Sequence, residues 1–179
     1  MHESLILTVI GDDRPGIVER ISADVLAAGA NWEESRMARL SGKFAGILRV
    51  RVDAARAPDL ARRLTTLEAE GLKVIVERGR GETGAYRTIG LELVGHDHPG
   101  IVRDISRVLA EHGVNIDELE TEMTSAPMSG EALFRARVRL QIPPTVTPDE
   151  LRRVLESLAG ELMVDVSLDT DSSAAGQKP

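Results

Sequence analysis

Two six-residue stretches carry the side chains best suited to chemistry: Asp13-Arg14-Pro15-Gly16-Ile17-Val18 and, 84 residues later, Asp97-His98-Pro99-Gly100-Ile101-Val102. Each stands where a β-rich segment gives way to helical spacing, so free backbone N–H groups of a helix N-terminus point outward there. Such donors, with the positive end of the helix dipole, suit a small carboxylate or phosphate. Asp13 and Asp97, with Asp12 beside the first, lie at the same mouth and offer a carboxylate to an ammonium group. Gly16 and Gly100 lack a Cβ and let a ligand or a partner backbone come close. A helix terminus for a carboxylate and an Asp for an amine make a site for a zwitterion. The same Asp residues also suit the N-cap, which contributes about 1 kcal/mol, and spacing alone leaves both roles open.

Asn31 and Asn115 follow Gly29-Ala30 and Gly113-Val114 at the turn into a second strand. Asn favours turns for conformational reasons, and from spacing alone that role is the simpler one. His96 and His98 flank Asp97, a pattern that invites a metal. The first copy has Asp12 and Arg14 there, and no third ligand is evident, so no metal or cofactor is expected. Ser22 and Ser106 lie one turn inside their helices, with no His partner in the first copy to make a nucleophile. No catalytic constellation is present, and no enzyme is expected.

The elements that position these loops occur twice. Ile21 and Ser22 match Ile105 and Ser106, Gly29 matches Gly113, Asn31 matches Asn115 and Glu34 matches Glu118, all at the 84-residue offset. The chain is an internal duplication. Further on, the offset reads as 88, where Val50-Arg51-Val52 meets Val138-Arg139-Leu140, and then 91, where Leu64 meets Leu155. These steps place small insertions around 124–129 and 143–148, in loops.

One copy reads as strand 4–10, helix 16–28, strands 32–41 and 44–53 around Ser41-Gly42-Lys43, helix 58–70 and strand 72–77. Pro15 falls in the helix's first turn and Gly29 just past its end. The second copy gives strands near 87–95, 116–124, 132–142 and 162–168, with helices near 100–112 and 148–159. The fold class is therefore α+β: two tandem βαββαβ ferredoxin-like domains, each an antiparallel sheet with both helices on one face. Residues 1–79 form the first domain, 80–85 a flexible linker, 86–169 the second domain and 170–179 a disordered tail. In 132–142, Phe134, Ala136, Val138, Leu140 and Ile142 alternate with Arg135, Arg137, Arg139 and Gln141, giving one core face and one charged face. Glu118, Glu120 and Glu122 on the preceding strand can pair with that Arg row, which favours internal charge pairing over an anion or nucleic-acid surface.

Composition narrows the class. A net charge of -7 over 179 residues argues against direct nucleic-acid binding. Without cysteine there is no disulfide framework and no thiolate nucleophile. Apolar runs are strand-sized, short of the ~20 residues that span a bilayer, and the N-terminus lacks a basic signal-peptide stretch. A cytoplasmic chain with no membrane role is expected. Each repeat of roughly 80 residues should gain stability from pairing with its twin. A homo-oligomer, a homodimer among the ways that two repeats could meet, is expected.

The βαββαβ repeat with Asp-x-Pro-Gly-Ile-Val opening its first helix and Gly-x-Asn closing it resembles the ACT domain, a regulatory module that binds amino acids. Two such repeats, a polar tail and the run Asn31-Trp-Glu-Glu-Ser-Arg-Met-Ala-Arg-Leu-Ser-Gly-Lys-Phe are most similar to the glycine cleavage system transcriptional repressor family. That resemblance implies glycine as signal and a protein partner such as a transcription activator, with no DNA-binding element. It implies an effector held where two domains meet, by the loop between first strand and first helix of one and the start of the second strand of the other. By resemblance, Asp12, Asp13, Arg14, Gly16, Ile17, Val18 and Asn31 would line one site, and Asp97, His98, Gly100, Ile101, Val102 and Asn115 the other. Where serine-sensing members place a His, two residues before Asp13 and Asp97, this chain has Gly11 and Gly95. The effector class is thus a small amino acid, glycine or serine-like. His98 in place of Arg14 implies that the two loops bind unequally. Glycine has five heavy atoms, and at about 1.5 kcal/mol per atom its best dissociation constant is a few micromolar.

Two other classes fit the same residues. One is a dimerisation or interaction module that takes no ligand, or the regulatory subunit of a metabolic enzyme. The other is an enzyme, since ACT repeats also precede catalytic domains such as formyltetrahydrofolate deformylases. The residues after 170 are too few for such a domain, which disfavours that class.

Overall fold

In β1, His2–Asp12, Leu5, Leu7 and Val9 occupy alternate positions and are buried, which is the period of a strand with one face on a core. The chain continues through α1 (Ile17–Ala27), β2 (Asn31–Leu40), β3 (Lys43–Asp53), α2 (Ala57–Thr65), a 3-10 segment (Thr66–Glu70) and β4 (Leu72–Arg78). The second copy contains β5 (Arg87–His96), α3 (Ile101–Glu111), β6 (Asn115–Ser125), β7 (Ala132–Ile142), α4 (Pro148–Leu162) and β8 (Val164–Asp169). This computed structural model describes residues 1–79, 84–125 and 131–169. Most of the expected linker and all of the expected tail lie outside them. The chain divides into two units, Met1–Glu82 and Thr83–Pro179.

Each unit is an antiparallel four-stranded sheet, in the order β2-β3-β1-β4 or β6-β7-β5-β8, with helices on one face. This is the expected ferredoxin-like α+β fold. In the first unit Leu7, Leu48 and Val50 from the sheet meet Ile21, Leu60 and Leu64 from the helices. In the second, Leu93, Leu140 and Ile142 meet Ile105, Leu151 and Leu155. Burying each such side chain contributes about 1.5–3 kcal/mol.

The duplication runs deeper than its side-chain matches, and one match shifts. Val50 pairs with Leu5 and Leu140 with Ile89, so β3 and β7 correspond at an offset of 90, not 88. Val50-Arg51-Val52 therefore corresponds to Leu140-Gln141-Ile142, and Phe44 to Phe134. A strand's period of two conceals a two-residue slip, because it keeps every side chain on its own face. Both units also share a β-bulge, between Trp32 and Glu34 and between Ile116 and Glu118. It turns Glu33 toward Arg49 and Arg51, at 3.4 and 3.2 Å, and Asp117 toward Arg139, at 2.9 Å.

Helix ends differ from expectation at three places. Pro15 lies before α1 rather than in its first turn, because Gly16 is the N-cap with φ 91°. The helix expected over 58–70 tightens to 3-10 geometry after Thr65 and stops at Gly71, φ 83°. The corresponding helix α4 runs to Leu162, three residues beyond expectation, and stops at Met163, which adopts the left-handed φ of 53° without being glycine. The last strand consequently begins at Val164, not 162.

On the open face of the second unit, Glu118, Glu120 and Glu122 lie directly opposite Arg139, Arg137 and Arg135. Arg139 pairs with Glu118, Arg135 reaches Glu122 at 3.7 Å and Glu92 at 3.0 Å, and Arg137 reaches Glu92 at 4.0 Å. The Arg row is neutralised within its own sheet, as its acidic neighbours led us to expect. Such pairs contribute about 0.2–1 kcal/mol each.

Candidate functional site

The β1–α1 and β5–α3 loops leave the first turn of each helix open. Gly16 and Gly100 stand at the N-cap, at φ 91° and 103°, and neither helix receives a side-chain cap. Arg20 and Asp104 are the first residues to donate backward, each at 2.9 Å to the carbonyl of Gly16 or Gly100. The N–H groups of Ile17, Val18 and Glu19, and of Ile101, Val102 and Arg103, stay available to an anion. Asp13 and Asp97 are not caps. The two glycines also serve a purpose beyond approach, since a left-handed residue is required there. Ile17 and Ile101 turn into the core, leaving only their backbone to the site, while Val18 and Val102 remain exposed.

The two aspartates, equivalent by sequence, differ in their neighbours. Asp13 accepts Arg39 Nε at 2.7 Å, and its own N–H donates to the Gly42 carbonyl at 2.9 Å. The residue that corresponds to Arg39 is Met123, exposed and uncharged. Asp97 has no ion-pair partner among the described residues. The second loop thus presents an uncommitted carboxylate beside an open helix N-terminus, whereas the first presents one already neutralised. Asp12, the last residue of β1, is paired with Lys43, whose hydrogen bond and charge hold its carboxyl below the ordinary 3.8.

Arg14 and His98 have a common position. Arg14 Nη2 donates to the backbone carbonyl of Glu70 at 3.1 Å and lies 3.4 Å from its carboxylate, while His98 Nε2 lies 3.1 Å from the carbonyl of Leu162. Both side chains fasten their loop to the end of the second helix of the same unit. In the first unit Glu70 also receives Arg20 Nε at 3.0 Å, and Arg20 bridges to buried Asp24 at 2.7 Å. The loops differ again at Arg39 and Met123, in addition to Arg14 and His98. With His98 so engaged, the His96–Asp97–His98 run does not converge, and no metal-holding group of three occurs among the described residues.

Gly11 and Gly95 have a steric cause that spacing did not reveal. A Cβ on Gly11 would stand 2.6 Å from the Gly71 carbonyl oxygen, and one on Gly95 would stand 2.8 Å from the Val164 Cα. The start of the last strand crosses too closely for any side chain, so a His at that position is excluded by packing.

Asn31 and Asn115 are exposed at the opposite end of their sheets. Asn31 lies opposite Arg51, which lies opposite Ser4, eight residues down β1 from Asp12. At about 3.4 Å per residue the separation is roughly 27 Å. Neither unit brings its own loop and its own Asn to one small ligand.

Residues 3–77 match a family model described as the ACT domain, and residues 90–147 match a second model of that description. The chain belongs to the ACT domain family, with two domains in tandem. It is 24% identical over 167 residues to the glycine cleavage system transcriptional repressor of Escherichia coli, covering 92% of this chain and 88% of that protein, and equally to its Shigella flexneri counterpart. An unknown protein from Galdieria sulphuraria, solved by crystallography, superposes with a TM-score of 0.80 at 34% identity, covering 94% of this chain and 98% of the other. As an ACT-domain protein this chain is a regulator by family. No helix among the described residues is long and apolar enough to cross a membrane.

Proposed function

We propose that this tandem ACT protein is a cytoplasmic, non-enzymatic sensor of a small amino acid, glycine foremost, which controls transcription of amino-acid metabolism genes through a protein partner. The observation that carries this reading is the second loop: uncapped N–H groups at Ile101 and Val102 beside the carboxylate of Asp97, which is unpaired among the described residues. The donors would take the effector carboxylate and Asp97 its ammonium. His98 would hold the loop in place from behind, and Gly100 would keep the approach clear. The family's second amide ligand, Asn31 or Asn115, would have to come from a domain other than the one that supplies the loop.

A protein partner rather than DNA is supported by the net charge of -7 and by the Arg row, whose charges face Glu118, Glu122 and Glu92. Transcriptional control itself is supported by the relatives named as glycine cleavage system transcriptional repressors.

The test is thermal unfolding of the purified chain with each of the twenty amino acids at millimolar concentration. A ligand at 100 times its dissociation constant stabilises by about 2.7 kcal/mol, several degrees for domains of this size. We expect a selective shift with glycine that Asp97→Ala removes. No shift with any amino acid would overturn the sensing role and leave a constitutive interaction module.

A further inference from the structure

Every antiparallel sheet has two edges, and an unprotected edge pairs readily with another strand. In the first domain β4 is such an edge: Leu72–Arg78 contains no proline and, among the described residues, pairs with β1 alone. Gly79 N–H donates to the Ser4 carbonyl at 2.8 Å, which fixes the phase of the ladder. The backbone groups of Lys73, Ile75 and Glu77 therefore face β1, and those of Leu72, Val74, Val76 and Arg78 face outward. Lys73, Ile75 and Glu77 direct their side chains to the open face of the sheet, where all three are exposed. Neither the Lys73 nor the Glu77 side chain has a partner among the described residues.

This edge is complementary to itself. We propose that two copies of the chain dimerise by antiparallel pairing of β4 with β4 about a two-fold axis at Ile75. In that register Val74 and the partner's Val76 exchange backbone hydrogen bonds through groups that already face outward. Ile75 meets the partner's Ile75, Lys73 meets the partner's Glu77 and Glu77 meets the partner's Lys73. Shifting the axis to Val76 sets Ile75 against the partner's Glu77. Shifting it to Val74 sets Lys73 against the partner's Ile75. Both shifts lose the charge pairs.

The second domain supplies the contrast. Strand β8 carries Asp165 and Asp169 at the positions of Lys73 and Glu77, so the same pairing of β8 with itself would oppose like charges. Like charges directly opposite each other destabilise a strand pair. The duplication has thus left one edge self-attracting and the other self-repelling. The β4 dimer does not depend on the effector reading, which uses the β1–α1 and β5–α3 loops.

Sedimentation equilibrium tests the pairing without any ligand. The wild-type chain should dimerise, and Lys73→Glu or Glu77→Lys alone should weaken dimerisation about tenfold or more, because each change creates two like-charge contacts. An equimolar mixture of the two variants should form heterodimers, since both charged contacts between one variant and the other would again oppose a carboxylate and an ammonium. Ile75→Cys tests the register in a chain without other cysteines. Directly opposed residues of a non-hydrogen-bonded pair, with Cα atoms about 4.5 Å apart, lie within disulfide range. It should cross-link on oxidation, while Ile47→Cys, equally exposed but two strands away, should not. A monomeric wild type, single variants that dimerise normally, or a mixture that stays monomeric would each overturn the proposal.

Discussion

Replacing Gly95 by alanine tests whether close strand crossing sets the base of the β5–α3 loop. The added Cβ would stand 2.5 Å from Val164 Cγ1, 2.8 Å from Val164 Cα and 2.9 Å from the Met163 carbonyl oxygen. Ordinary carbon contacts begin near 3.4 Å, so β8 would have to retreat by more than half an ångström from the strand it pairs with. Two of the three atoms are backbone and cannot rotate away. Overpacking of this kind costs about 1–3 kcal/mol, and the upper half applies because the backbone cannot yield. Against it stands a gain of about 0.4–1 kcal/mol from stiffening the unfolded chain. The expected net loss is about 1–2 kcal/mol, read as a lower urea midpoint at unchanged slope. Gly16→Ala is the control: nothing lies within 4 Å of its Cβ, so its cost would come from φ 91° alone, about 1–2 kcal/mol. The two losses have different remedies. Val164→Ala removes the Cγ1 contact and should recover part of the Gly95→Ala loss but none of the Gly16→Ala loss. A Gly95→Ala loss under about 0.5 kcal/mol, or no recovery with Val164→Ala, would refute the steric argument.

Four further predictions concern other contacts. In calorimetric titration with glycine, Asp97→Ala should abolish most of the heat and Asp13→Ala should change it little, because Asp13 is already bound to Arg39 at 2.7 Å; equal effects would contradict the asymmetry. Arg39→Ala should free Asp13 and raise the apparent number of glycine sites in the same titration. Met163→Gly should stabilise the second domain by about 0.5–1 kcal/mol in urea unfolding, since it relieves a left-handed φ of 53° at an exposed side chain. Stability should be level from neutral pH to about 5 and decline below about 4. Lys43 holds Asp12, the Ala55 N–H holds Asp53 and Arg63 holds Asp59 below their ordinary 3.8, so the folded state binds fewer protons than the unfolded one until those carboxylates protonate. Urea midpoints measured across pH 3–7 check this, and a rise in stability on acidification would contradict it.

The fold was readable because its signals are local and redundant. The alternation of Phe134 to Ile142, the helical spacing of Ile17, Ile21 and Val25, and the second copy of each point to the same elements. The two-residue error at Val50 arose because a strand repeats every two residues, and only pairing to β1 distinguishes one phase from the next. The site was less readable. That Gly16 and not Asp13 is the N-cap depends on a backbone φ. That Arg39 neutralises Asp13 depends on a hairpin that brings residues 26 apart in sequence within 2.7 Å. The exclusion of a side chain at Gly11 depends on a strand 60 residues further on. Arg39 had one available signal: its counterpart at the 84-residue offset is Met123, a change from charged to uncharged beside a matched Asp.

The places where the copies diverge fall on the interactions that the two proposals use. A duplication that served packing alone would be free to vary anywhere on its surface, yet three differences here alter interactions. Arg39 becomes Met123, which leaves Asp97 without an ion-pair partner among the described residues where Asp13 has one. Ile47 becomes Arg137, which turns an apolar position of the open face into part of an ion-paired lattice. Lys73 and Glu77 become Asp165 and Asp169, which turns a self-complementary edge into a self-repelling one. Each change removes from one copy a property that the other keeps. If both proposals hold, the second domain would receive the amino acid and the first would join two chains. Glycine should then stabilise the Lys73→Glu monomer as much as it stabilises the wild type, and a glycine response lost together with the dimer would show that the two tasks are not divided in this way.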